Sequence, residues 1–503
     1  MKDLIELANI VTKTKLRNVE LLTNDQNDSK IQQFYDMVAD SCFQDDDEAA
    51  VHFYGEEKDK RTPSYQKLRK SLKDRLVNSL FIIDLKRASY TSRQKAYYEC
   101  YKDWAAVKIL IGKNAYQTAE GMIRQILKVA KKYEFSELLV DIYHTLRLFH
   151  GTIIGNFKKY EEYNEAFKQH QEIWIAENRV EECYIDLSIQ FINSKADKVD
   201  LQKTAQSYVE IISKDMERYD SYQLQLCGWL TRLTEFTVVN DYANTLEVCN
   251  QAIQYFEKKQ YVASVPLQVF LYQKCICLVQ LRHFDQLEGC IEECLSHLEE
   301  GRLNWFKLLE LRFQYYAHNE CYQEAFALLT AVLENKKFGQ LPGNIQETWM
   351  ISEAYLIFLK RAGILEVEDK KAIKKSNFRL AKFLNEIEIF SKDKQGMNVS
   401  VLMIEFLIKL VSKQYDDLID RAEAINKYRS RYLQHDPMIR SNLFLQMLLQ
   451  LPKNAFQKEA VAEKTKPYFN QLTSIPIETA NQTHEIEIIP YEKLWAIVLT
   501  LLE

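Results

Sequence analysis

Residues 268–333 read QVFLYQKCICLVQLRHFDQLEGCIEECLSHLEEGRLNWFKLLELRFQYYAHNECYQEAFALLTAVL. Phe284 and Tyr322 each follow a short polar turn and open an amphipathic stretch, and they stand 38 residues apart (322 − 284). The pattern is helix, turn, helix, then the same again with almost nothing between. A helical hairpin of this kind cannot bury its apolar face alone and does so by stacking on neighbouring copies. The stretch therefore sets the fold class as all-α, built from repeated hairpins.

Composition agrees. The 503 residues include 12 Gly and 8 Pro, where average usage would give roughly 60 of the two together. No proline occurs between Pro63 and Pro266. Many-stranded sheets need turns rich in both residues, whereas helices joined by short polar turns do not. The formal net charge of −5 creates no field that attracts nucleic acid or an anionic membrane. The opening MKDLIELANIVTKTK carries an acid early and lacks an export-signal core, and the longest late apolar run, Leu494 to Leu502, falls far short of the ~20 residues of a membrane span. Ten cysteines without disulfide-framework spacing fit a reducing compartment, so a soluble cytoplasmic protein is expected.

Working outward from the central stretch, the aromatics that follow an intra-hairpin turn are Tyr116, Tyr160, Tyr242, Phe284, Tyr322 and Tyr415. Two of their intervals are close to double the others, leaving room for hairpins near Gln202 and Asp369 that lack the aromatic. The repeat is then about 43 residues, with helices of about 16–20 residues. These hairpins resemble degenerate tetratricopeptide repeats of the longer type. The resemblance covers most of residues 89 to 472, about nine hairpins, and is best at 268–299 and 302–335. It implies a right-handed α-solenoid with a concave groove, in which Cys275, Cys294 and Ala325 are the small residues that let paired helices approach. The proline that usually ends such a repeat is mostly missing.

Residues 1–88 form an N-terminal helical module. Helices are expected over about 1–22 and 29–42; a short helix follows the acidic turn at 44–48 and ends at Tyr54-Gly55, and a basic amphipathic helix runs from Pro63 to about Leu85. After the hairpins of 89–472, residues 473–503 change character. Thr483 to Pro490 alternates like one short strand, and Tyr491 to Leu502 reads as an apolar helix that caps the open end of the array.

Candidate sites are few. Cys290, Cys294 and His297 share one helical face with zinc-ligand chemistry, but cysteine also suits a tight helix contact, so packing is expected and no metal. Lys58 to Arg75 holds eight basic and two acidic residues, a local +6 (8 − 2). If this helix entered DNA as part of a helix-turn-helix, Lys67, Arg69, Lys70 and Lys73 would make the contacts; an ordinary basic face turned to the acids at 45–48 is the plainer expectation. No phosphate loop, dinucleotide fingerprint, zinc-protease or nucleophile-elbow motif occurs, and lone helix histidines such as His144 and His318 read as structural or surface residues. No catalytic residue and no cofactor is expected. The expected function is a non-catalytic scaffold or adaptor that binds a peptide or protein partner in its groove. The second reading is a transcriptional regulator with a DNA-binding segment at 44–85.

Overall fold

A computed structural model describes residues 1–13, 28–56, 58–81, 90–193, 198–366, 378–387, 397–432, 439–477 and 487–502. Among these residues the regular structure is entirely helical, with no strand, and no helix is long and apolar enough to cross a membrane. The chain divides into two compact units, Met1–Trp174 and Ile175–Glu503. The expected hairpin near Asp369 lies outside the described residues, as do residues 14–22 of the expected first helix and the turn that would precede Gln202.

The first unit holds two separate cores. One joins α1 (Lys2–Lys13), α2 (Asp28–Ala39), α3 (Asp46–Tyr54) and α4 (Pro63–Leu80) around Leu4, Phe34, Tyr65, Leu72 and Leu76. Asp45 caps α3 by accepting from the Asp47 and Glu48 amides, and Gly55 ends it at φ 104°, a conformation that suits glycine. The second core joins α5 (Ser92–Gly112), α6 (Tyr116–Tyr133) and α7 (Ser136–Phe149) around Trp104, Ile123 and Ile142. α8 (Phe157–Asn193) follows, and the division between the units falls within it.

In the second unit come α9 (Lys198–Arg218), α10 (Tyr222–Thr237), α11 (Tyr242–Glu257), α12 (Ser264–Gln280), α13 (Phe284–Ser296), α14 (Leu303–His318), α15 (Tyr322–Glu334) and α16 (Gly343–Arg361). Then follow α17 (Leu380–Glu386), α18 (Met397–Val411), α19 (Tyr415–Tyr432), α20 (Ile439–Leu448), α21 (Gln450–Lys453), α22 (Lys458–Ser474) and α23 (Tyr491–Thr500). From α9 to α16 each helix packs on the next in sequence, and α12 also touches α14.

One turn recurs. Asn114, Asn240, Arg282, Glu320 and Lys413 are left-handed, with φ of 60°, 58°, 57°, 62° and 54°. Two residues after each, an aromatic is the first residue of the next helix: Tyr116, Tyr242, Phe284, Tyr322 and Tyr415. Between α12 and α13, the His283 amide donates to Leu278 O (2.9 Å) and the Arg282 amide to Val279 O (3.2 Å). That is the paired closure of a helix by one left-handed residue. His283 is also the N-cap of α13, so both helices share it and the chain reverses with almost no loop. The aromatic then meets the following hairpin near the end of its first helix. Tyr116 lies 4.9 Å from Phe149, and Phe284 lies 5.5 Å from Tyr315.

Tyr160 is the exception. α7 runs into a π-turn, His150–Ile154, closed by left-handed Gly155 at φ 68°, and the aromatic two residues on is Phe157. The spacing of the recurring turn is therefore kept with Phe157 in the aromatic place, and Tyr160, three residues on, sits inside the first turn of α8. Its ring lies over Gly151, where an added Cβ would come within 3.1 Å of it.

The C-terminal segment also differs from expectation. Residues 483–486 of the strand-like stretch lie outside the described residues, and Glu487–Pro490 forms a bend with no strand partner. α23 belongs to one continuous core with Phe306, Trp349, Phe406 and Phe444, drawn from α14, α16, α18 and α20.

Candidate functional site

The last segment of the chain packs on α22 and is tied to α14 and α20, within a core that α16 and α18 share. Leu494, Trp495 and Val498 of α23 are buried, and each such side chain contributes about 1.5–3 kcal/mol when taken out of water. The Tyr491 ring stacks on Phe444 at 4.6 Å, with Trp495 edge-on to the same ring at 6.4 Å. Tyr491 OH and Ser441 Oγ share a hydrogen bond of 2.7 Å.

A polar lock surrounds these apolar contacts. Arg440, near the start of α20, is 1% exposed at its side chain, as is Glu487. Arg440 Nε donates to Glu487 Oε1 (2.6 Å), and its Nη2 donates to both oxygens of Glu492 (2.8 and 2.9 Å). Its Nη1 donates to the carbonyl oxygens of Leu472 (2.9 Å) and Ile475 (2.5 Å). Burial pushes the Glu487 carboxyl above the usual carboxylate range. The Arg440 guanidinium and the Tyr491 amide, 3.1 Å away, pull it back, so the charge on Glu487 depends on Arg440.

The segment is tied at its other side to α14. His318 Nε2 lies 2.7 Å from Glu487 O. A carbonyl cannot donate, so this nitrogen carries the proton. Burial, with the charges of Arg282 and Lys493 behind it, lowers the imidazole to about 4. Lys493 Nζ donates to His318 O (2.9 Å) and pairs with Glu320 at 2.5 Å. Residues 487–493 thus bridge the end of α14 to α20, helices separated by more than a hundred residues. Arg440 opens α20 in the polar start Arg440-Ser441-Asn442, so nothing in the local sequence marks it as buried, and the lock had no local signal.

The basic helix α4 uses its charges inside its own module. Arg69 Nη2 pairs with Asp3 (2.6 Å) and its Nε with Asp46 (2.7 Å), while Lys73 pairs with Asp3 at 2.9 Å. Tyr65 OH donates to Asp46 at 2.6 Å, and Lys60 pairs with Asp47 at 3.2 Å. Partial burial works against the Asp3 carboxylate, but the Lys73 hydrogen bond and the charges of Arg69 and Lys73 outweigh it and bring it down to about 2. Of the acids at 45–48 only Asp46 reaches this helix: Asp47 pairs with Lys60 ahead of it, and Asp45 and Glu48 accept from amides of their own turn. The tie to Asp3 has no local signal. Lys67 and Lys70 point to solvent.

The cysteines pack. Cys275 and Cys290, on α12 and α13, place their sulfurs 3.2 Å apart, and Cys294 lies against the Gln268 carbonyl. Cys275, Cys294 and Ala325 are buried, as the hairpin pattern expects. His297 contributes its backbone carbonyl, which accepts from Gln268. Among the described residues no group of three or more His, Cys, Asp or Glu could hold a metal ion. His144 is exposed, while His150 is buried with neither ring nitrogen hydrogen-bonded.

Comparison with known proteins returns no match, whether to family models, to curated proteins or to solved structures.

Proposed function

We propose that this protein is a non-catalytic scaffold: an α-solenoid of tetratricopeptide-like hairpins whose first helices recognise a helical or peptide segment of a protein partner. The observation that carries this reading is the seat of α23. α14 and α20, with α22 beside them, hold a helix of the chain itself through an aromatic stack and a charged lock. A wall that binds one helix by shape and by a few placed polar groups has the chemistry of helix-in-groove recognition, with little ordering cost on the side of the wall. The recurring turn supports the array. It reverses the chain within two residues, so successive first helices fall on one side.

A DNA-binding regulator remains the second reading, with Lys67 and Lys70 as its exposed contacts. It is weakened because Arg69 and Lys73 are engaged with Asp3 and Asp46. The test is capture of partners from host lysate by the tagged full chain, with and without nuclease and at two salt concentrations. One protein retained stoichiometrically through nuclease and higher salt is the expected result. Recovery of nucleic acid, lost steeply as salt rises, overturns the scaffold in favour of the regulator.

A further inference from the structure

α8 and α9 leave a groove of about 710 Å³ within the second unit. Its wall is one stripe of α8, Glu181, Glu182, Ile185, Asp186 and Ile189, faced by Tyr208 of α9. Ile185 and Ile189 are about half exposed, at 48% and 52%, although the opposite side of the same helix buries Ala176, Val180 and Leu187. The groove is lined by three carboxylates and no lysine or arginine. Arg179, the neighbouring cation, is paired with Asp215 at 2.9 Å, and Glu181 and Glu182 have no ion-pair partner among the described residues. Asp186 is held in place by Tyr208 OH and Gln190 Nε2, each at 2.6 Å.

We propose that this groove docks a basic amphipathic helix of a partner protein, with the partner's aliphatic side chains on Ile185 and Ile189 and its lysines or arginines on Glu181, Glu182 and Asp186. This inference rests on the scaffold reading and adds the chemical class of the partner. The spacing suits it. Ile185 and Ile189 are one helical turn apart, and the stripe from residue 178 to residue 189 runs about 17 Å, the length of a helix of about 11 residues. Carboxylates that rim an apolar floor also disfavour the competing occupants, since nucleic acid and an anionic bilayer are both repelled.

The test uses the full chain and a fluorescein-labelled, amidated 15-residue peptide of leucine and lysine, with leucines at i, i+3, i+4 and i+7. A second peptide carries glutamate at every lysine position. By fluorescence anisotropy the cationic peptide is expected to bind saturably near one to one. The Glu181→Lys/Glu182→Lys chain is expected to bind it about tenfold more weakly. An equal charge change elsewhere, Glu257→Lys/Glu463→Lys, should leave binding within about twofold. Ile185→Asp, on an already exposed position, should weaken binding while the thermal midpoint stays unchanged. The proposal is overturned if the cationic peptide does not bind, if both double variants weaken it alike, or if the glutamate peptide binds as well. Lysate capture repeated with the Glu181→Lys/Glu182→Lys chain separates the two levels. A partner kept equally by both chains leaves the scaffold intact and removes this groove, whereas a partner kept by neither removes the scaffold itself.

Discussion

The seat of α23 and the N-terminal module use the same chemistry at different depths. In both, an arginine on one helix gathers two carboxylates from distant parts of the chain: Glu487 and Glu492 around Arg440, and Asp3 and Asp46 around Arg69. The Arg440–Glu487 pair is 1% exposed on both sides, whereas the Arg69 and Asp3 side chains are 22% and 38% exposed. Depth decides what such a pair does. At the half-exposed site, water solvates either partner when the other is lost. At the buried site neither charge has an alternative, so the pair makes the placement of residues 487–493 all-or-none.

The sharpest way to break this comparison is to remove each arginine. Arg440→Met leaves Glu487 buried without its counter-charge and should cost about 3–5 kcal/mol in urea unfolding. Hydrogen exchange should rise selectively across 487–502. Arg69→Met should cost no more than about 1 kcal/mol. Equal losses would mean that burial does not separate the two sites.

Acidity sharpens it next. The folded chain keeps His318 neutral down to about 4, whereas the unfolded chain protonates it near 6.5. The unfolded state therefore binds more protons between those values, and stability should fall as pH drops from about 6.5 towards about 4, by up to about 1.4 kcal/mol per pH unit. His318→Gln keeps a donor for Glu487 O and should lose that slope. Glu310 acts with the opposite sign. Burial raises it to about 7, so it favours the folded state at low pH and loses that effect as pH rises from 4.5 to 7. It is present in both chains and cancels in their difference. Parallel pH profiles would show that His318 is not shielded in solution.

Asp3 sets the weaker, acid-side counterpart. Its folded value near 2 lies below the ordinary 3.8, so its contribution is present above pH 3.8 and lost as pH falls towards 2. Asp3→Asn should remove that acid-side step in the circular dichroism of the N-terminal module, with a loss below about 1 kcal/mol at neutral pH because the pair is well solvated. The smallest effect belongs to Lys67→Gln/Lys70→Gln, expected to stay within about 0.5 kcal/mol of the parent. A larger loss would place these lysines in contacts like those of Arg69.

Five of the six turn aromatics were legible because the signal is local. A left-handed residue, a shared cap and an aromatic occupy three consecutive positions, and the helical period on each side identifies the faces to be buried. The same holds for α3, whose acidic start and Gly55 stop lie within its own sequence. Tyr160 failed because two aromatics stand close together after the turn: Phe157 takes the place two residues beyond left-handed Gly155, and Tyr160 follows three residues later. The cysteines show the intermediate case. Burial of Cys275 and Cys294 follows from the pattern, but the choice of Cys290 as the neighbour of Cys275 depends on how α12 and α13 rotate against each other.

By itself, then, the sequence determined the helical class and five of the aromatic turns, since each is set by residues within about one turn of one another. Only the tertiary structure decided that Arg440 meets Glu487, that His318 meets the carbonyl of the same residue, and that Glu181 and Ile185 are left open on α8. Periodicity states which side of a helix is buried and never against what. Pairings across 47 or 169 residues are chosen by the stacking of the helices between them.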